Sequence, residues 1–410
     1  MLTQINGVSA KIIASTATIR RAKHQVRRLY NSGLSIFPQS GINSTDSFFA
    51  KQRVINEEDD NSSGRMFLGI NAPGSSTKTL LVRVYSALLA SAQAEINENA
   101  EVGDPYGTLV GYFNSLKALG GAKRLVEDDI KNVRLRYLYN QRGFPRKNIT
   151  EPDELTSRLK SWQIPALLRK LNRKFPRGES DWPSDVLLAT NMISVGVDIN
   201  RLGLMVVTGQ PRSTSEYIQA TSRVGREHPG LVITMYNWLG VRDISHYEKF
   251  RAYHDAIYRH VESMSITPFS SRAIDRGIQG LMVGLSRMGI DGLSQESQAQ
   301  DFDPADPSFN EIVQSISKRA GEVLENQQEA ENLRARMLLD GDRWSSYTDD
   351  PLRYKWLREN MVPPGNQRVL IKTAGTKNPG IWSALGSLRD VESQSAFFLN
   401  EFIEVEGEDQ

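Results

Sequence analysis

Between Arg65 and Tyr236 short apolar runs alternate with stretches of helical period. Met66 to Ile70, Thr108 to Phe113, Val186 to Thr190, Leu204 to Thr208 and Leu231 to Tyr236 have the length and β-branched content of strands. Thr77 to Glu95 places Leu80, Leu81, Val84 and Leu88 on one stripe, and Asn114 to Asn132 has the same spacing, so both read as helices. Ser213 and Thr214 are natural N-caps for a further helix over Ser215 to Val224. Strands that alternate with helices predict an α/β domain, a parallel sheet covered on both faces, with ligands at the carboxyl ends of the strands.

The flanks read differently. Lys11 to Thr18 resembles a last strand of a preceding sheet, with a helix over Ile19 to Tyr30, and Gln39 to Gly64 has the polar composition of a linker. Arg134 to Trp182 is basic and interrupted by prolines. Asp243 to Met264 carries Tyr247, Phe250, His254, Ile257 and Val261 at spacings of three and four, which predicts one long core-facing helix. Gln295 to Phe309 reads as a connection, Glu311 to Met337 as helix, and Val369 to Lys372 as an isolated strand. The expected divisions are 1–38, 39–64, 65–240, 241–294 and 295–410.

Chemistry concentrates between Asp185 and Arg226. A buried strand ends in a turn with Gly196 and Asp198, and some twenty residues on a helix is expected to present Arg223 and Arg226 three positions apart. Two guanidiniums on one face suit phosphate oxygens. Ala189, Thr190, Gly196 and Asp198 match A-T-x5-G-x-D, and Gln219, Arg223, Gly225 and Arg226 match Q-x-x-G-R-x-G-R, with Ser222 in place of the second pattern's first glycine. These strings resemble motifs V and VI of superfamily 2 helicases, and Thr16-Ala17-Thr18 resembles motif III, the coupling segment that closes the first motor domain.

The resemblance implies a RecA-like second motor domain at 65–240, preceded at 1–38 by a remnant of the first. It implies that Arg223 and Arg226 contact the γ-phosphate as catalytic arginine fingers, that Gly196, Asp198 and Gln219 bind the nucleotide, and that Thr190 contacts the DNA backbone. For Asp198 a turn or helix cap stands as the alternative, and Gln219 could hold the adenosine side or bridge to backbone. Further strings, among them D-P-Y-G-T-L-V-G-Y-F-N-S-L-K-A-L-G-G-A at Asp104 to Ala122, E-L-T-S-R at Glu154 to Arg158 and S-H-Y-E-K-F-R-A-Y-H at Ser245 to His254, resemble the large helicase subunit of the DISARM phage-defence system. That likeness implies DNA and a second defence-system subunit as partners.

No phosphate loop with its lysine and no magnesium-holding acidic pair is found. In Gly69 to Thr79 the lysine, Lys78, lies four residues beyond Gly74 where such a loop has it adjacent, so a strand turning at Pro73-Gly74 into a helix is expected. ATP and magnesium would be held mainly by an upstream motor domain, and this chain would be inactive alone. The sequence leaves open a different class, a DNA- or partner-binding fragment without ATPase activity.

Composition sets outer limits. Hydrophobic residues make up 39% of 410, enough for a sizeable core, and no apolar run reaches the roughly eighteen residues that span a bilayer, so a cytoplasmic protein is expected. With no cysteine, disulfides and thiolate zinc sites are excluded, and the histidines His246, His254 and His260 lack metal-ligand spacing, so no metal site is assigned. A net charge of +2 gives no general attraction to nucleic acid, which leaves local patches. Arg20, Arg21, Lys23, Arg27 and Arg28 form one, either a phosphate-binding or a solvated helix face, and Tyr and Phe near Arg251 and Arg259 form another.

Overall fold

The computed structural model describes residues 11–16, 18–37, 64–145, 147–159, 162–176, 182–194, 198–263, 266–349, 351–355, 368–373 and 380–384, with two-residue strands at 4–5, 8–9, 46–47 and 50–51. Ala17, Gly196 and the acidic tail therefore lie outside the described residues. The chain divides into two compact units, 1–20 with 37–263, and 21–36 with 264–410. Helix α1 (Ala22–Tyr30) thus clusters with the C-terminal unit and not with the first residues it was expected to accompany.

The first unit is built on β1 (Arg65–Asn71), α2 (Thr77–Glu98), α3 (Ala100–Gly107), β2 (Leu109–Phe113), α4 (Leu116–Leu125), α5 (Leu135–Arg142), β3 (Asp153–Leu155), α6 (Ile164–Leu171), β4 (Val186–Ala189), β5 (Leu204–Thr208), α7 (Thr214–Thr221) and β6 (Gly230–Tyr236). Two short helices, α8 (Val241–Glu248) and α9 (Phe250–Asp255), follow. The six strands form one sheet in the order β1-β6-β5-β2-β4-β3, every pair parallel. This is the expected RecA-like sheet flanked by helices. Alternate residues of a strand face opposite sides: in β2 Leu109 and Phe113 join Tyr85 and Leu89 of α2 on one face, while Val110 and Tyr112 join Leu167, Tyr217 and Val224 on the other. Burial on both faces explains why β2, β4 and β5 are near-continuous apolar runs.

Helix starts fall where the sequence signals them. Ser76, Ser115 and Ser213 each accept a backbone N–H in the first turn of α2, α4 and α7. The buried stripe of α2 is Leu81, Tyr85 and Leu89, one residue on from the predicted one, because Tyr85 inserts against Gly111. An added Cβ at Gly111 would lie 2.2 Å from the Tyr85 hydroxyl, so this strand glycine is set by packing.

Several predicted elements differ. Residues 11–16 are exposed and irregular, not a strand. A strand needs ladder partners for its N–H and C=O groups, and no strand of the six-stranded sheet pairs with them. The helix predicted over Asn114 to Asn132 continues past its expected end as a π-helical turn, Val126–Arg134, and then α5. The long helix predicted over Asp243 to Met264 is three short ones, α8, α9 and a 3-10 turn Ile257–His260. The rings of Tyr253 and His254, neighbours in sequence, both pack on Tyr217, which a single straight stripe does not satisfy.

The second unit is mainly helical, as expected: α1, α10 (Ser271–Gly289), α11 (Pro307–Leu324) and α12 (Gln327–Ser345). The break between α11 and α12 falls at Glu325 (φ 56) and the N-cap Asn326, inside what the sequence spacing suggested was one helix. Its core is aromatic, with Trp344 stacked on Phe302 at 3.9 Å and donating to the Ala299 carbonyl. Arg27 pairs with Glu325 at 3.1 Å, Arg28 donates to the Val323 carbonyl at 2.7 Å, and Asn31 donates to Glu322 at 2.6 Å. Much of the basic face of α1 is thereby occupied within its own unit.

Candidate functional site

Both arginines of the expected fork lie beyond α7, not on it. The helix ends at Thr221, Ser222 caps it in ordinary right-handed geometry (φ −67), and the chain then turns. Serine is therefore compatible with the position where the motif has glycine. Val224, fully buried in the core, pins the middle of the turn. Gly225 follows with φ +69 and donates its N–H to the Leu202 carbonyl at 2.8 Å. A Cβ there would sit 2.9 Å from both Arg65 Cγ and Gly230 Cα, so glycine is required by conformation and by space.

Arg223 and Arg226 are consequently held by contacts and not by helix periodicity. Arg223 donates to the Ser194 carbonyl. Arg226 pairs with Asp198 and donates from Nε to the Ser222 carbonyl at 3.2 Å. Both guanidiniums therefore reach the segment after β4, where the turn Asn191–Ser194 and Asp198 lie. The Arg226 side chain is 28% exposed and that of Asp198 74%, so the pair meets solvent. Thr190, at the end of β4, is buried and donates its N–H to Leu155 of the neighbouring strand. Gln219 donates from Nε2 to the Thr18 hydroxyl at 3.1 Å, which brings the described part of the segment resembling motif III to the helix that precedes the arginines.

Arg65 was not singled out in the sequence and holds the arginine turn. Its Nε donates to the Val224 carbonyl at 2.6 Å and its terminal nitrogen to the Ser222 carbonyl at 3.3 Å. Burial pulls its pKa below the usual arginine value, an effect that Tyr258 opposes and the Arg226 charge reinforces. As the first residue of an edge strand after a polar linker it belongs to no motif. Glu262 was missed for the same reason: its carboxylate accepts from the Thr214 N–H and hydroxyl at 2.9 to 3.1 Å, at the N-terminus of α7. Glu216, in the first turn of α7, accepts from the Tyr112 hydroxyl, fixing that helix to β2.

Behind α7 lies a buried polar chain. His254 Nδ1 is 2.8 Å from the Phe250 carbonyl, which can only accept, so that nitrogen carries the proton. Nε2 then accepts from the Tyr217 hydroxyl at 3.0 Å, and Tyr217 accepts from Thr234 at 2.9 Å. Burial lowers the His254 pKa, with the Phe250 hydrogen bond opposing.

The arginine turn suits an anionic oxygen, with guanidiniums on one short loop and Gln219 one helical turn away. Segment 69–79 is a strand end, a turn at Gly74 (φ +76) and the capped start of α2, with Lys78 exposed in the first turn. Among the described residues no group of three or more acidic or histidine side chains could hold a metal ion. Nor, among them, is any helix long and apolar enough to cross a membrane.

Residues 165–228, a span containing Thr190, Gly196, Asp198, Gln219, Arg223 and Arg226, match the helicase conserved C-terminal domain. Over 402 residues, 95% of its length, the chain is 40% identical to the DISARM protein DrmA of Bacillus paralicheniformis, of which it spans 34%. Solved structures similar to it include the DUF1998 helicase MrfA bound to DNA, 18% identical over 63% of this chain and 31% of that one with a TM-score of 0.39. Another is S. cerevisiae Dbp5 bound to RNA and ADP BeF3, 12% identical over 49% of this chain and 41% of that one with a TM-score of 0.31.

Proposed function

We propose, for this chain with its superfamily 2 helicase C-terminal domain, that it is the second motor half of an ATP-dependent DNA helicase or translocase acting in anti-phage defence in the cytoplasm. The observation that carries the reading is the arginine turn: Arg223 and Arg226 sit on one loop fixed by Arg65, Gly225 and Val224, inside the segment that matches the helicase domain. Bound ATP with magnesium supplies the phosphoryl-transfer free energy, and an upstream motor domain holds both. Arg223 and Arg226 leave the Ser194 carbonyl and Asp198 for the γ-phosphate oxygens and stabilise charge that develops there. Asp198 and Gly196 then serve the ribose side, Thr190 the DNA backbone, and Gln219 carries the movement to Thr18 and the coupling segment.

Similarity to the DISARM protein DrmA over a third of that protein supports the defence setting, and a second defence-system subunit is part of the proposal. A second reading, a DNA- or partner-binding fragment without ATP turnover, is favoured by one observation, that protein acceptors already engage both arginines. Reconstitution with an upstream motor domain decides between them. Arg226→Ala is expected to lower ATP turnover by roughly 10³-fold or more while sparing DNA affinity. Unchanged turnover in that variant would overturn the proposal.

A further inference from the structure

We propose that an open cavity of about 440 Å³, walled by Thr18, Ile19, Arg20, Tyr258, Arg259 and Val261, takes one nucleotide of single-stranded DNA, with its base on the Tyr258 ring and its phosphate between Arg20 and Arg259. This deepens the DNA-motor reading above, on which it rests, by naming base and phosphate contacts at Tyr258, Arg20 and Arg259, outside the strings that resemble helicase motifs. The volume lies within the roughly 300–1,000 Å³ of small-ligand sites.

The run 258–262 divides its side chains sharply. His260 packs on the Tyr253 ring at 5.2 Å, Val261 is buried, and the Glu262 carboxylate is spent on the start of α7. Tyr258 and Arg259 remain in solvent. Tyr258 is 66% exposed and, unlike Tyr217, Tyr236, Tyr247 and Tyr253, stacks on no ring among the described residues. Arg259 forms no ion pair with a described carboxylate. Arg20 is steered to the same place by its 3.2 Å bond to the Val261 carbonyl. Tyr258 also lies near enough to Arg65 to influence its ionisation, so the cavity adjoins the cationic arginine turn.

An exposed ring beside guanidiniums suits a stacked base next to its phosphate. The base must be unpaired to lie on the ring, which selects a single strand. Stacking on a ring reads no base edge, so sequence preference is weak. An occupant would touch Thr18, the acceptor of the Gln219 side chain, and so meets the helix that leads to Arg223.

The test is anisotropy of a fluorescein-labelled oligothymidylate against the purified chain across a salt series. Tyr258→Ala should weaken binding about five- to hundredfold, and Tyr258→Phe should retain it. Arg259→Ala should also lower the salt slope by roughly 0.7. Both side chains are exposed, so unchanged melting temperatures should accompany the losses. A bromodeoxyuridine-substituted oligonucleotide should crosslink within 258–261. Wild-type affinity in Tyr258→Ala, with the chain binding DNA normally, would overturn this proposal and leave the motor reading standing. Competition by free AMP at the same ring would overturn it in favour of a small-nucleotide pocket. Absence of any DNA binding at low salt would overturn both.

Discussion

Gln219 and Thr18, 201 residues apart, are joined by a 3.1 Å hydrogen bond from the glutamine amide to the threonine hydroxyl. It ties α7, the helix that delivers the arginine turn, to the segment resembling motif III. The two residues are partly buried, so the bond is worth about 1 kcal/mol to folding, and its removal is expected to act on coupling. Gln219→Ala in the reconstituted motor should leave the melting temperature within a few degrees of wild type and reduce the stimulation of ATP turnover by DNA. Equal stimulation in wild type and variant would show that the bond carries no signal.

Gly225 tests how the arginines are held. Alanine there must adopt φ +69 and put a Cβ 2.9 Å from the Gly230 backbone, which cannot yield as a flexible side chain can. The left-handed conformation costs about 1–2 kcal/mol and the overpacking about 1–3 kcal/mol more. Urea unfolding of Gly225→Ala should give a lower midpoint with an unchanged slope. A midpoint equal to wild type would mean that the turn relaxes at no cost.

How much of this was legible beforehand follows from what each feature depends on. Strands β2, β4 and β5 are buried on both faces, so their apolar runs sufficed, and Ser213 announced its helix because capping is local. The placement of Arg223 and Arg226 on a helix face was wrong because spacing cannot reveal that Gly225 must turn back to Gly230 beneath Arg65. Arg65 and Glu262 act through contacts 157 to 159 and 48 residues distant, respectively, and carry no pattern of their own. The basic face of α1 was readable as charge, but its partners on α11 and at its C-terminal cap lie almost three hundred residues away.

Arg201 and Asp104 form a buried pair at 3.2 Å, and Arg201 also donates to the Leu171 carbonyl at 2.7 Å and the Thr108 hydroxyl at 2.6 Å. The pair joins α3, α6 and the entry to β2. Breaking a buried pair strands its partner charge and costs about 3–5 kcal/mol. Arg201→Ala should therefore show a large loss of stability by denaturant titration. Asp104→Asn, which keeps an acceptor for the Phe175 N–H, should lose less. The reverse order would place the weight on the Asp104 charge.

Stability should also depend on pH through the histidines behind α7. Burial lowers the pKa of His254, and that of His246, below the unfolded value. The folded state thus binds fewer protons than the unfolded one in that range, so unfolding becomes easier as protons are added. The contribution is present above the unfolded histidine pKa of about 6.5 and is lost as pH falls toward and through the lowered folded values. At His254 protonation also removes the acceptor for Tyr217, because Nε2 becomes a donor and the Tyr217 hydroxyl must turn its proton toward Thr234. Urea midpoints measured from pH 7.5 down to pH 5.5 should fall for the wild-type chain and fall less for His254→Gln, whose side chain does not titrate. Parallel profiles for the two proteins would place the titrating group elsewhere, with His246 the next to replace.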